Sequence, residues 1–438
     1  MKKIIILFLI AAACLPAQVQ KLTLKESLEI GMKNSKELKI SHAKLLSASA
    51  QVTAANSFLL PQLNFSAGYM RLSNIPAFTL SIPPFIPKPI TIFPVILDDW
   101  TMKLSLQQPL FTGFKLTSIS GAAKYNYDAA KYDFNNDENS EALKIQSAFW
   151  NYYKAQQNDK VLDENLQQIN QHLEDTKNFE ANGLATKNDL LKLEVQYSST
   201  KLQKIEADNN LDIARMTFNQ AIGLPLDAKT EIETGELATE KINYNPKDLL
   251  SQANNNRSEL KSLQYRVEAS NKNITAAQAA WYPSVYLIGD YYYNKPNQRY
   301  VPPVNEFKDT WDVGVQLSWS LWNWGYTASQ TTIAEQNKIQ AETSLSEMKD
   351  AVNIEVYQNY LTFKRAYDKV NVSQLGVKQA EENYRIIKEK YNTQVASSTD
   401  LIDAETTLLA AKTSYVNSLI DYELAKVRLD KSIGKKIY

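Results

Sequence analysis

The sequence predicts an α+β membrane protein made of two copies of one unit, a β-hairpin flanked by long helices. Three observations lead there: an internal repeat, long stretches without proline, and paired segments that alternate apolar with polar residues.

The repeat sets the frame, because a constant shift between distant matches marks a duplicated structural unit. Glu37-Leu38-Lys39 returns as Glu259-Leu260-Lys261 and Pro61 as Pro283, both at a shift of 222. Trp100 returns as Trp311, Leu106 as Leu317, Leu110 as Leu321, Asp189 as Asp400, and Ile222-Gly223 as Ile433-Gly434, all at 211. The change of 11 falls between Tyr69 and Trp100, so the first copy has a longer loop there. The expected division is a signal at 1–17, a first repeat at 18–224, a linker at 225–247 and a second repeat at 248–438.

The chain opens Met1-Lys2-Lys3, runs apolar from Ile4 to Ala13, and continues Cys14-Leu15-Pro16-Ala17. A basic start, a short apolar run and a small-residue exit are the parts of a secretory signal. The run is too short to span a bilayer of roughly 30 Å. Cleavage after Ala17 is the preferred reading. Lipid attachment at Cys14 competes with it, although a lipoprotein signal wants leucine where Ala11 stands. Cys14 is the only cysteine, which leaves no disulfide framework or thiolate metal site. His42 and His172 are expected on helix surfaces, and no cofactor or metal is expected.

Beyond the signal no run of 18 apolar residues occurs. A chain that crosses a membrane must then do so as a closed β-barrel, since lipid offers backbone groups no hydrogen bonds. Lys plus Arg and Asp plus Glu number 48 each and are interspersed, so there is no basic face for nucleic acid.

In each copy a helical stretch, about 23–58 and then about 247–281, ends near a proline. Strands follow at about 63–72 and 99–108 in the first copy, and at about 284–293 and 310–319 in the second. Trp100, Met102, Leu104 and Leu106 point one way, with Thr101, Lys103, Ser105 and Gln107 opposite. Likewise Trp311, Val313, Val315, Leu317 and Trp319 oppose Asp312, Gly314, Gln316 and Ser318. Leu63, Phe65, Ala67 and Tyr69 alternate too, whereas 284–293 reads as mixed. Period two with one apolar and one polar face fits a barrel wall, lipid outside and water inside. A half-buried soluble sheet is the plainer reading of the same pattern. Four strands cannot enclose water, since about eight are needed even for a filled interior. Strands that span a membrane here must be pooled by several chains.

The chain is then free of proline from Phe111 to Leu224 and from Val304 to its end. Such Ala-, Leu-, Glu-, Gln- and Lys-rich stretches favour long helices. One from about 114 to 182 would reach some 100 Å at 1.5 Å per residue. Leu401, Leu408, Tyr415, Tyr422 and Leu429 form a heptad ladder beside Ala404, Ala411, Ser418, Ala425 and Ser432. Leu190, Tyr197, Lys204, Leu211 and Phe218 stand beside Leu193, Thr200, Ala207, Ala214 and Ala221 in the first copy. Large residues opposite small ones suit coiled-coil packing. Between the helices lie two turns, 182–190 and 393–401. Gly183 suits a helix end, Thr186 and Ser398 suit helix starts, and Asp189 and Asp400 suit the third helical position of a capping box.

Taken together, these features resemble the TolC-like outer membrane efflux protein family across essentially the whole mature chain. The most specific segment runs from Tyr391 to Gly434 and includes Ser-Ser-Thr-Asp-Leu-Ile-Asp-Ala at 397–404 and Val-Arg-Leu-Asp-Lys-Ser-Ile-Gly at 427–434. The resemblance implies a homotrimer with one twelve-stranded outer-membrane barrel on a periplasmic helical tunnel, with residues about 225–247 in an equatorial belt. It implies passive conduction without catalytic residues, as the exit duct of a tripartite efflux or type I secretion system. Partners would be an inner-membrane transporter, a periplasmic adaptor and outer-membrane lipid. The turns would form tunnel tips where an adaptor docks, through Gly183, Leu184, Thr186, Val395 and Ser398. Asp400 and Asp403 match the family's acidic constriction, and Asp189 and Tyr391 match one pair of its closing links. A second link uses an arginine, but Ala396 stands there, with Asn188 opposite. Gln394 replaces the usual glycine, and Lys192 stands in the first copy where Asp403 stands in the second. A coiled-coil envelope protein or adhesin is the competing function; it gives no reason for two matched hairpins. A soluble periplasmic enzyme would need a nucleophile, base or metal constellation that the sequence does not assemble. The Pro-rich loop at 73–98 is unusually apolar and has no assigned role.

Overall fold

In the computed structural model, residues 20–235 and 237–438 are described. The expected signal, with Cys14 and Ala17, lies outside them. The chain divides into two compact units. A helical unit holds residues up to His42 with Asp133–Leu260 and Met348–Tyr438, and a strand unit holds Ala43–Tyr132 and Lys261–Glu347.

Two helices of equal length, α3 (Lys115–Ala181) and α7 (Tyr326–Asn392), have 67 residues each. At 1.5 Å per residue each is about 100 Å long. Their returns are α4 (Lys187–Ile222) and α8 (Ser398–Ser432). The helices expected at about 23–58 and 247–281 are each broken once. The first becomes α1 (Leu24–Asn34) and α2 (Lys36–Ser57); the second becomes α5 (Pro246–Asn256) and α6 (Ser258–Gln278). The breaks fall at Ser35 and Arg257, whose ψ values of 124° and 123° leave the helical region. Each side chain holds its break. Ser35 Oγ accepts from Leu38 N, while Arg257 bonds Glu259, Glu355 and the Ser432 carbonyl. Local side-chain bonds of this kind compete with helix continuation.

In the helical unit β1 (Gln20–Leu22) pairs in parallel with β6 (Thr230–Ile232). Its core joins Leu22 and Ile232 to Ile145, Phe149, Trp150 and Tyr152 of α3, Phe218 and Ile222 of α4, and Ile420 and Leu424 of α8. Tyr152 donates its hydroxyl to the Thr230 carbonyl at 2.7 Å, so the ring is buried without stranding its polar end. Gly31 lets α1 approach α3, for a Cβ there would meet Ile145 Cδ1 at 2.5 Å.

The helical ladder on α8 is inside. Leu401, Ala404, Leu408, Ser418, Tyr422, Ala425, Leu429 and Ser432 are buried, and Ala411 and Tyr415 are half-buried. On α4 the ladder is looser, with Tyr197, Lys204, Ala207, Leu211 and Ala214 half-buried. Lys204 is tolerated because its ammonium pairs with Asp159 at 2.8 Å and with Asp208.

The strand unit carries β2 (Gln62–Arg71), β5 (Asp98–Phe111), β7 (Ser284–Asn294) and β8 (Lys308–Ser318). They form one antiparallel sheet in the order β2-β5-β7-β8, so the two repeats join through β5 and β7. The register sorts the side chains. Leu63, Phe65 and Tyr69 sit opposite Leu106, Leu104 and Trp100; Leu104 then sits opposite Tyr291, and Tyr291 opposite Trp311. Val285, Leu287, Val313, Val315 and Leu317 share that face. The other face holds Asn64, Ser66, Lys103, Ser105, Gln107, Asp290, Tyr292, Thr310, Asp312 and Gln316. The mixed pattern of 284–293 is thus resolved: Tyr286 and Ile288 are the apolar intruders on an otherwise polar face. Among the described residues β2 and β8 have no partner on their outer edges.

The loop expected at 73–98 contains structure. β3 (Phe78–Ile82) and β4 (Ile86–Phe93) form a separate antiparallel hairpin, with register shifts after Phe78 and Leu80. Pro83, Pro84, Pro87 and Pro89 hide it from a strand pattern, since proline gives a ladder no donor.

Candidate functional site at the helix-hairpin tips

Both long helices end in the same motif. At the end of α3, Leu184 N donates to Phe179 O (2.8 Å) and Gly183 N to Glu180 O (2.9 Å), with Gly183 at φ +72°. At the end of α7, Val395 N donates to Lys390 O (2.8 Å) and Gln394 N to Tyr391 O (2.9 Å). This is the Schellman arrangement, which needs a left-handed residue after the helix. Gln394 takes that conformation at φ +61°, at a steric cost of about 1–2 kcal/mol that glycine avoids. The residue that follows is exposed and apolar in both turns: Leu184 at 56% and Val395 at 75%.

The next helices start alike. Thr186 caps α4, accepting from Asp189 N, while the Asp189 carboxylate accepts from Thr186 N and Oγ1. Ser397 and Asp400 build the same box on α8, with bonds of 2.7–3.2 Å. The cap expected at Ser398 is therefore corrected to Ser397, which is also the residue that the 211 shift pairs with Thr186. Ser398 is the first residue of α8 and is buried. The hydroxyl of Thr186 is the main cause that holds Asp189 below the ordinary carboxylate value, with a smaller contribution from Ser398. Asp400 is lowered likewise by Ser397, through its hydroxyl and then its backbone N–H. Asp403 lies one turn further on, and both it and Asp400 are exposed. Lys192 reaches from α4 to α8, donating to Thr399 Oγ1 at 3.0 Å.

Tyr391 is buried and shares a hydrogen bond with Thr176 Oγ1, its ring 6.1 Å from that of Phe179. The structure thus brings Asp189, Ser398 and Lys192 together beside the start of α8, and gives Tyr391 a different partner on α3.

One cluster escaped sequence reasoning. His172, expected on a surface, is 2% exposed, with Nδ1 at 2.5 Å from the Glu405 carboxylate. Tyr384 OH lies 3.3 Å from His172 Nε2, and burial with the Glu405 charge pushes its phenol up to about 12. Neither Glu405 oxygen has a hydrogen-bond partner among the described residues. His42 is exposed as expected, its ring against Phe134. Helical periodicity could have put His172 on the packed face of α3, but nothing in sequence pairs residues 233 positions apart.

Comparison with known proteins gives this geometry its context. The model of the family described as outer membrane efflux protein matches residues 31–224 and 249–435. Outer membrane protein TolC of Vibrio cholerae is 23% identical over 442 residues, 99% of this chain and 96% of that one. The crystal structure of VceC, an outer membrane protein of Vibrio cholerae, superposes with a TM-score of 0.76 at 19% identity, covering 95% of this chain and 97% of that one. The CmeC outer membrane channel of Campylobacter jejuni gives 0.78 at 19% identity, covering 94% and 85%. The fold is that of channels with a helical tunnel and a β-barrel. With both repeats matched and the linker between them spared, the chain belongs to the outer membrane efflux protein family.

Proposed function

We propose that three copies of this chain close a twelve-stranded barrel through the outer membrane, and that the assembly passively conducts substrates out of the cell. An inner-membrane transporter and a periplasmic adaptor would hand those substrates over, for efflux or type I secretion. The carrying observation is the four-stranded sheet: one face apolar, one polar, and both edges open among the described residues. Lipid forbids unpaired edges, so β8 of one copy must meet β2 of the next. β7 and β8 have 11 residues each, which suits the roughly 9–11 residues that a tilted strand needs to cross a bilayer.

The helical unit supports the same association. The back of α4 exposes Leu191, Val195, Leu202, Ile205, Ile213 and Met216; α7 exposes Ile354, Leu361, Val372 and Leu375. Two different unpartnered stripes suit a head-to-tail contact that closes as a ring. Adaptor docking falls to the tips, where Leu184 and Val395 stand exposed with Gly183 and Thr186 beside them, while the buried Ser398 supports the turn from within. The gate falls to Asp400 and Asp403, with Asp189 and Tyr391 fastening the hairpins from separate partners. Purified protein added to planar lipid bilayers should give discrete conductance steps; bilayers that stay silent at saturating protein would refute the duct.

A further inference from the structure

The loop joining β7 to β8, residues 295–307, leans onto the polar face of its own hairpin through Asn297 and Arg299, while its end is anchored on the other face by Phe307 stacked on Tyr293. Asn297 is 2% exposed and donates its amide to the Lys308 carbonyl (3.0 Å) and to Thr310 Oγ1 (3.1 Å). Its Oδ1 accepts from Arg299 N at 3.0 Å, which aims the arginine. The Arg299 guanidinium then lies over the Tyr292 ring, 4.6 Å from its centroid, and pairs with Asp312. Tyr292, Thr310 and Asp312 all belong to the polar face by register. A second cation, Lys103, sits 5.2 Å from the same ring and is paired with Asp290 at 2.9 Å.

We propose that residues 295–307 form a strap folded into the mouth of the barrel, with Arg299 as the positioning residue that holds it there. The strap makes a constriction at the external end, separate from the periplasmic tips. The inference rests on the duct reading, which makes the polar face the water-filled side. Threefold closure then sets three straps around one opening. Asn297 is the buried root of each strap, and the fastenings beyond it are individually weak, for the Arg299 and Asp312 side chains are 47% and 40% exposed, and exposed ion pairs and surface cation–π contacts contribute little. A strap held this way can lift for a passing cargo and settle again. Paired charges on the wall, Lys103 with Asp290 and Arg299 with Asp312, make the closed constriction steric more than electrostatic.

The test uses the full-length assembled protein in planar bilayers. Polyethylene glycols of graded size, added on the external side only, report the outer opening independently of the periplasmic one. Arg299→Gln and Tyr292→Leu should admit polymers roughly twofold larger in mass than wild type admits. Tyr292→Phe keeps the ring and should match wild type. In a second arm, a bulky thiol reagent added externally should block Gln298→Cys channels, which keep Arg299 and carry an exposed strap position, and spare Val313→Cys, which lies on the lipid side. A size limit unchanged in Arg299→Gln, or equal block of both cysteine variants, overturns the strap alone. A wild-type chain that forms no channel overturns the duct reading and the strap with it.

Discussion

His172 and Glu405 sit opposite one another where α3 meets α8, both almost wholly shielded from water. A buried polar contact is costly to break from one side, because the remaining group is left in the core without a partner. His172→Leu or Glu405→Leu alone should destabilise the helical unit by about 1–3 kcal/mol, read by chemical denaturation followed through helical circular dichroism. The double variant should recover most of that loss; additive losses would mean that the two side chains do not act as a pair. The candidate gate is also a residue-scale matter. Asp400→Asn with Asp403→Asn should weaken block of single-channel current by divalent or trivalent cations, and undiminished block would remove the acidic ring. The capping role of Asp400 was legible because a motif of adjacent residues carries it. His172 was not, because its role is set by a contact between the two repeats.

At the scale of elements, the tips rest on two capping boxes whose acids are held below their ordinary value of 3.8. A carboxylate depressed on folding lends stability that is complete above its unfolded value and is lost as pH falls through the folded one. The protection of amides at residues 182–190 and 393–401, measured relative to intrinsic exchange at each pH, should therefore stay constant from neutrality down to about pH 4 and fall below it. A fall that begins near pH 6 would implicate other groups. Gln394→Gly should relieve the left-handed strain and raise stability by about 1 kcal/mol, whereas Gly183→Gln should do the reverse. For docking, Leu184→Asp combined with Val395→Asp should reduce cross-linking to an adaptor; unaltered cross-linking would leave the tips as well-capped turns alone. Element boundaries were legible where period and proline agreed, as for the 67-residue helices. The breaks at Ser35 and Arg257 were not, since they depend on side-chain bonds that no hydrophobic pattern encodes. The β3–β4 hairpin was hidden by its own prolines.

For the whole molecule, the decisive feature is an incomplete one. Duplication supplies two hairpins, the register merges them into a single sheet, and among the described residues the sheet stops with the outer edges of β2 and β8 open. Sequence carried the argument as far as a need for several chains, because the count of strands was legible. The joining of β5 to β7 was not, since pairing between repeats is set by geometry. The matched apolar stripes on α4 and α7 were missed as well: sequence reading followed the ladder that packs inside the chain, while the exposed stripe lies on the other side of the same helices. The most direct test is the mass of the protein extracted from outer membranes with mild detergent and weighed by native mass spectrometry. Three chains in one particle, stable until the barrel is denatured, is the predicted result. Release of the mature chain as a soluble monomer without detergent would contradict it.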